Sequence, residues 1–323
     1  MMNHIIAGLI LLLCAVQVQA AGFQTMEIPG PGTKPISLAI WYPSLAPTQA
    51  RSMGAFSQDV AINGAIEGAG LPLVVISHGN GGYKYSHLDT ALDLANAGFV
   101  VVALTHPGDN YADQSQATDI LERPKHVVST LDFVLQHWEH RDRIAPRRVG
   151  IFGFSSGGFT ALVNIGGAPD MAKVFSHCAA HPTQYACMLV DRDGPGADQA
   201  PKAASDSMHD RRIRAAVIAA PALGFTFDAP ALNKVGIPIQ LWRAEDDMIV
   251  PHPWYAEQVR VSLPRQPDYH VVPHAGHFDF LAPCSEKLSA LAPQICASDK
   301  AFDRSAFHRH FNTSIIAHFK KYL

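Results

Sequence analysis

Charge is scarce in this chain. Only 16% of its 323 residues are charged, the formal net charge is −3, and there is no basic run. A nucleic-acid footprint needs clustered Lys and Arg, so this composition points away from such a partner. No H-E-x-x-H or C-x-x-C spacing occurs, although the chain holds 17 histidines. The usual zinc ligand patterns are therefore missing. Asp191-Arg192-Asp193-Gly194 lacks the spacing and terminal Glu of a calcium loop. His308 and His310 stand two apart on a helical pattern and point away from each other. No metal and no cofactor is expected. There is no internal repeat and no linker-like stretch, and beyond residue 20 no apolar run approaches the ~20 residues of a membrane span.

An apolar segment does open the chain. Ile5 to Val16 is broken only by small residues, and Val18-Gln19-Ala20 offers small side chains at a cleavage position. The expectation is an export signal over residues 1–20, cut after Ala20, with a periplasmic or secreted destination. An uncleaved anchor is the alternative, and a lipidated Cys14 is disfavoured by Leu13 before it. Cys14 leaves with such a signal, so four of the five cysteines remain. They fall as local pairs, Cys178 with Cys187 and Cys284 with Cys296, and export makes short-range disulfides the expectation. Free buried thiols are the alternative.

Strand-like and helix-like stretches then alternate. Ile36–Tyr42, Leu73–Ser77, Phe99–Leu104, Arg148–Phe152, Ala215–Ala220, Ile237–Trp242 and Tyr269–Val272 read as strands. Ser86–Ala97, Pro124–His137, Gly157–Ile165 and Ser305–Leu323 carry helical spacing. Ala46–Gly70 reads as a polar and small-residue excursion. From Gly166 to Arg212 the periodicity fails, which suggests an insertion capping a site. The pattern predicts one α/β domain over residues 21–323, with a mostly parallel central sheet and helices on both faces.

Gly153-Phe154-Ser155-Ser156-Gly157-Gly158 follows a strand and opens a helix. This is the context of a G-x-S-x-G elbow, where a nucleophilic serine sits on a strained turn and flanking side chains must be small. His78-Gly79-Asn80-Gly81-Gly82 also follows a buried strand. Its backbone could supply one donor to a developing oxyanion, from Gly79 or Asn80, with Ser156 supplying the other. A phosphate loop is set aside, since G-x-x-x-x-G-K-[ST] is absent. A serine needs a base, and the base needs an orienting carboxylate, in the chain order Ser, acid, His for this fold. Arg243-Ala244-Glu245-Asp246-Asp247 follows a strand and nominates Asp247, with Asp246 as runner-up. Pro273-His274-Ala275-Gly276-His277 nominates His277, with His274 and His270 as alternatives.

These four motifs, in this order, resemble the bacterial dienelactone-hydrolase-like α/β-hydrolases related to platelet-activating-factor acetylhydrolase. Ile40-Trp41-Tyr42-Pro43 and the tail from Cys296 to Phe319 are similar as well. The resemblance implies the α/β-hydrolase fold and a triad of Ser155, Asp247 and His277. It also implies hydrolysis of a small-molecule ester without a cofactor. True dienelactone hydrolases use a cysteine nucleophile where Ser155 stands, so a dienelactone substrate does not follow. A peptidase or amidase, a lipase or polyesterase, and a non-catalytic binding protein on the same scaffold are the alternative readings.

Overall fold

The computed structural model describes residues 20–193 and 208–323. The expected signal, apart from Ala20, and the centre of the expected insertion lie outside the described residues.

The strands are β1 (Ala20–Ile28), β2 (Ile36–Ser44), β3 (Gln49–Met53), β4 (Phe56–Ile62), β5 (Leu71–Ser77), β6 (Val100–Thr105), β7 (Ile144–Phe154), β8 (Ile213–Ala219), β9 (Ile239–Ala244) and β10 (Asp268–Val272). They form one sheet in the order β10-β9-β8-β7-β5-β6-β2-β1-β4-β3. From β10 to β6 every pairing is parallel, and the remaining strands add an edge that is antiparallel but for the β1–β4 contact. The parallel strands are continuous apolar runs, such as Leu73-Val74-Val75-Ile76, because both their faces are covered.

The helices are α1 (Leu88–Asn96), α2 (Glu122–Gln136), α3 (Ser156–Asn164), α4 (Lys173–Ala180), α5 (Tyr185–Asp193), α6 (Ala229–Leu232), α7 (Ala256–Ser262), α8 (Glu286–Leu291), α9 (Pro293–Cys296) and α10 (Arg304–Tyr322). Side chains alternate along β7 and so identify the two layers. Phe152 packs edge-on to Phe311 of α10, and a Cβ on Gly150 would strike Phe319 of the same helix. Gly153 points the other way, where a Cβ would meet the backbone of Gly157 in α3. Thus α1 and α10 cover one face, and α2 and α3 the other.

Two segments differ from the sequence expectation. Ala46–Gly70 contains the hairpin β3–β4, whose outer strand is exposed from Gln49 to Ser52 and so lacks the apolar alternation that marks a strand. The stretch after Gly166 contains α4 and α5, two short helices tied together by Cys178–Cys187. Each is too short to show a clear period, and a cross-link supplies part of what a wide apolar face would. Cys284 pairs with Cys296, so both local pairings hold. Among the described residues no helix is long and apolar enough to cross a membrane.

Candidate active site

Strands β6 and β7 lie on opposite sides of β5, so the chain changes direction at the carboxyl ends of β5 and β7. Open α/β sheets leave a crevice there. The turn 78–82 leaves β5 at this point, and Ser155 leaves β7.

Ser155 has φ 55° and ψ −118°, a strained backbone for a residue with a side chain. The glycines around it make that turn feasible. A Cβ on Gly157 would lie 1.9 Å from the Ser77 carbonyl oxygen, and one on Gly153 would lie 2.1 Å from that of Gly157. The turn therefore nests against β5 through bare backbone. Ser156 is the first residue of α3, and its N–H is among those an α-helix leaves without an intrahelical partner.

His277 and Asp247 arrive from loops beyond β10 and β9. His277 Nε2 is 3.0 Å from Ser155 Oγ, and His277 Nδ1 is 2.8 Å from Asp247 Oδ2. All three side chains are buried. Asp247 Oδ1 accepts from the N–H groups of Ile249 and Val250 at 2.9 and 2.8 Å, which fixes the carboxylate. The imidazole packs against Phe154, with ring centroids 4.8 Å apart. The buried carboxylate also raises the pKa of Tyr255, after the larger effect of that phenol's own burial.

The alternatives sit elsewhere. Asp246 and His274 are exposed and cluster with Glu245 on the outer side of the loops, their ligand atoms within 4.8 Å of one another. His270 stacks on Trp242 and contacts Asp268. The exposed Glu245, Asp246 and His274 form the one group of metal-ligand type among the described residues.

The turn that carries His277 is braced from the C-terminal region. Asp279 Oδ2 accepts from Gly276 N–H at 2.8 Å, while its Oδ1 accepts from Arg304 Nε at 2.9 Å and Ser298 Oγ at 2.5 Å. Arg304 also donates to the Ile295 carbonyl beside the Cys284–Cys296 disulfide.

The loop expected to hold an oxyanion lies against Ser155. A Cβ on Gly79 would come within 3.1 Å of Ser155 Cβ. Asn80 is gripped from two sides: its Nδ2 donates to Asp109 Oδ1 at 2.7 Å, and its Oδ1 accepts from the Tyr185 hydroxyl of α5 at 2.7 Å. The expected insertion thus reaches the loop directly. Beneath it lies a buried histidine cluster. His78 Nε2 accepts from the His106 N–H at 3.0 Å, so its Nδ1 donates to the Gly79 carbonyl at 2.6 Å. His106 reaches Ser77 Oγ at 2.8 Å and His126 Nδ1 at 3.2 Å. Burial, then the nearby Arg123 charge, holds His78 and His106 well below the usual imidazole range and His126 at about 4.

Sequence reasoning missed Asp109, Arg123, Tyr185 and Asp279. One signal was present. Arg123 stands four residues before Val127, on the apolar face of α2, where an unpaired Arg is not tolerated.

The dienelactone hydrolase family model matches residues 61–190, which include the 78–82 turn and Ser155. Two curated relatives, phosphatidylserine lipase ABHD16A of Rattus norvegicus and of Mus musculus, are 31% identical over 112 residues. That segment is 34% of this chain and spans only 18% of their length. Among solved structures, a ferulic acid esterase from Streptomyces cinnamoneus has a TM-score of 0.60 at 18% identity, covering 96% of this chain and 91% of that one. A dienelactone hydrolase from Anabaena variabilis has a TM-score of 0.53 at 15% identity, covering 94% and 99%. Sheet order, elbow and near full-length structural likeness agree on the α/β-hydrolase fold, and the matched segment 61–190 is similar to the dienelactone hydrolase family.

Proposed function

We propose that the protein is a serine esterase, cleaving small-molecule carboxylic esters with a small to medium acyl group through an acyl-Ser155 intermediate. The observation that carries this reading is the unbroken hydrogen-bond chain from Asp247 through His277 to Ser155 Oγ. His277 Nε2 takes the hydroxyl proton as Ser155 Oγ attacks the carbonyl carbon. Asp247 accepts from Nδ1–H, which fixes the tautomer and stabilises the imidazolium. The N–H groups of Ser156 and of Gly79 or Asn80 receive the oxyanion, each worth roughly 3 kcal/mol in comparable sites. His277 then protonates the leaving alkoxide. Water, deprotonated by the same imidazole, releases the acid and restores Ser155.

The proposed organisation is an export signal over residues 1–20 and one hydrolase domain over 21–323, acting in the periplasm or outside the cell. Residues 166–212 serve as its cap. The two disulfides support an oxidising destination. The family match and the esterase and lipase names of the relatives support ester cleavage.

A fluorophosphonate probe and a chromogenic ester series test the assignment. The parent should be labelled at Ser155 and should hydrolyse p-nitrophenyl acetate. Ser155→Ala should fold normally, escape labelling and lose nearly all turnover. Comparable turnover by that variant would refute the nucleophile. Faster cleavage of anilides than of esters would move the reading to an amidase, and a preference for long-chain esters would move it to a lipase.

A further inference from the structure

We propose that the buried pair Arg123–Asp109 is a positioning device for both halves of the oxyanion hole, holding the amides of Gly79 and Ser156 in register with Ser155. This rests on the esterase reading above.

Both side chains are only 2% exposed. Arg123 Nη1 donates to Asp109 Oδ2 at 2.5 Å, its Nη2 donates to the His78 carbonyl, and its Nε donates to Thr160 Oγ1 at 3.2 Å. Asp109 turns its other oxygen to the same loop, accepting from Asn80 Nδ2 at 2.7 Å and from Gly81 N–H at 3.2 Å. The pair therefore grips the turn at the carbonyl before Gly79 and at the amide after Asn80.

The geometry of the trans peptide gives this grip its consequence. The His78 carbonyl and the Gly79 N–H belong to one plane and point in opposite directions. With the carbonyl held by Arg123, the Gly79 N–H is turned away from the guanidinium. The Gly81 N–H is occupied by Asp109, whereas those of Gly79 and Asn80 have no acceptor among the described residues. They are left for a substrate oxygen. The second half of the hole is reached through Thr160, whose hydroxyl donates to the Ser156 carbonyl at 2.8 Å. One guanidinium thus links the β5 turn to the nucleophile helix. Burying two charges is costly, and an ion pair rarely stabilises a fold more than well-packed apolar residues would. A positional role accounts for this pair where a stability role does not.

The test compares the parent with Asp109→Asn, Arg123→Lys and Thr160→Val. Each is normalised by fluorophosphonate titration of active sites and assayed on p-nitrophenyl acetate and its thionoester. Sulfur is a poor hydrogen-bond acceptor, so the oxygen-to-sulfur rate ratio reports the oxyanion donors alone. For Asp109→Asn we expect kcat per titrated site to fall about 30- to 100-fold, with KM within about threefold and the ratio reduced about tenfold. Arg123→Lys keeps the charge and should lose less. Thr160→Val removes the Nε contact and the bond to the Ser156 carbonyl while leaving the Arg123–Asp109 pair in place, and it keeps the test decisive if Asp109→Asn does not fold. For it we expect a three- to tenfold loss of kcat with a lowered ratio. A merely structural pair would reduce the titrated fraction and leave kcat per site and the ratio unchanged, and that result overturns the proposal. A parent that is labelled at Ser155 and active while the folded variants match it overturns this inference alone. An unlabelled, inactive parent overturns the esterase reading and this inference with it.

Discussion

His277 Nε2 stands 3.0 Å from Ser155 Oγ across 122 positions of chain, and Asp247 holds the far side of the same imidazole. Neighbouring Asp246 is exposed, and its N–H is spent on the Ala275 carbonyl. The two acids therefore make opposite predictions. Asp247→Asn keeps the shape but presents an amide to Nδ1, so the imidazole loses its correct tautomer. We expect kcat to fall by roughly 10⁴ with little change in melting temperature. Asp246→Asn should stay within about twofold of the parent. Steady-state kinetics on one chromogenic ester compares them, and an equal loss in both variants would count against Asp247 as the orienting acid.

The elbow glycines yield a prediction about folding. Gly157→Ala would place a methyl carbon 1.9 Å from the Ser77 carbonyl oxygen, and backbone on both sides leaves nothing flexible to yield. Destabilisation at or beyond about 3 kcal/mol is expected, the upper end for overpacking. Gly98 is the control. It follows α1 at φ +100°, and a Cβ placed there would meet nothing within 4 Å, so Gly98→Ala should cost only about 1 kcal/mol, from backbone strain. Urea unfolding of both variants gives the comparison.

Much of this site was legible because its signals are local. A strand, a tight turn and a helix follow one another around Ser155, and glycine is demanded wherever backbone meets backbone. Asp247 and His277, which the structure brings to Ser155, were nominated by standing just past a strand. What could not be read depends on contacts between distant segments. Asp109 looks like an ordinary loop acid until Arg123 appears beneath it, and α5 shows no reason to carry Tyr185 until that phenol is seen on Asn80. The β3–β4 hairpin escaped notice because an exposed edge strand needs no apolar alternation, only a partner's backbone.

The disulfide between α4 and α5 should matter for stability and, through Tyr185, for rate. Cys178 and Cys187 close a loop of nine positions, and chain-entropy reasoning puts the contribution of such a link at about 2.5 kcal/mol. Tyr185 lies two residues before Cys187 and donates to Asn80 Oδ1. Tyr185→Phe removes that one bond, worth about 1 kcal/mol, and should lower kcat/KM about fivefold without lowering the melting temperature by more than a few degrees. Replacing both Cys178 and Cys187 by Ala should lower the melting temperature clearly and kcat/KM by a similar factor. If the double variant loses stability but keeps full kcat/KM, α5 does not support the loop.

Acid should unfold this protein through its buried imidazoles. Burial holds His87, His126 and His318 at about 4 in the folded chain, and His78 and His106 well below the ordinary value. In the unfolded chain each returns to about 6.5. Between pH 6.5 and 4 the unfolded state therefore binds more protons than the folded one, and stability must fall as pH falls. Above pH 6.5 both states are neutral at these positions and the contribution is complete. Each such histidine adds up to about 1.4 kcal/mol per pH unit to the slope inside that window. Urea unfolding free energies measured from pH 8 to pH 4 should be nearly flat at first and then decline below about pH 6.5. His318 lies on α10, away from Ser155, and His318→Gln should remove about one proton's worth of slope while leaving activity per folded molecule intact. A curve that stays flat down to pH 4 would mean these imidazoles are not held neutral in the folded protein.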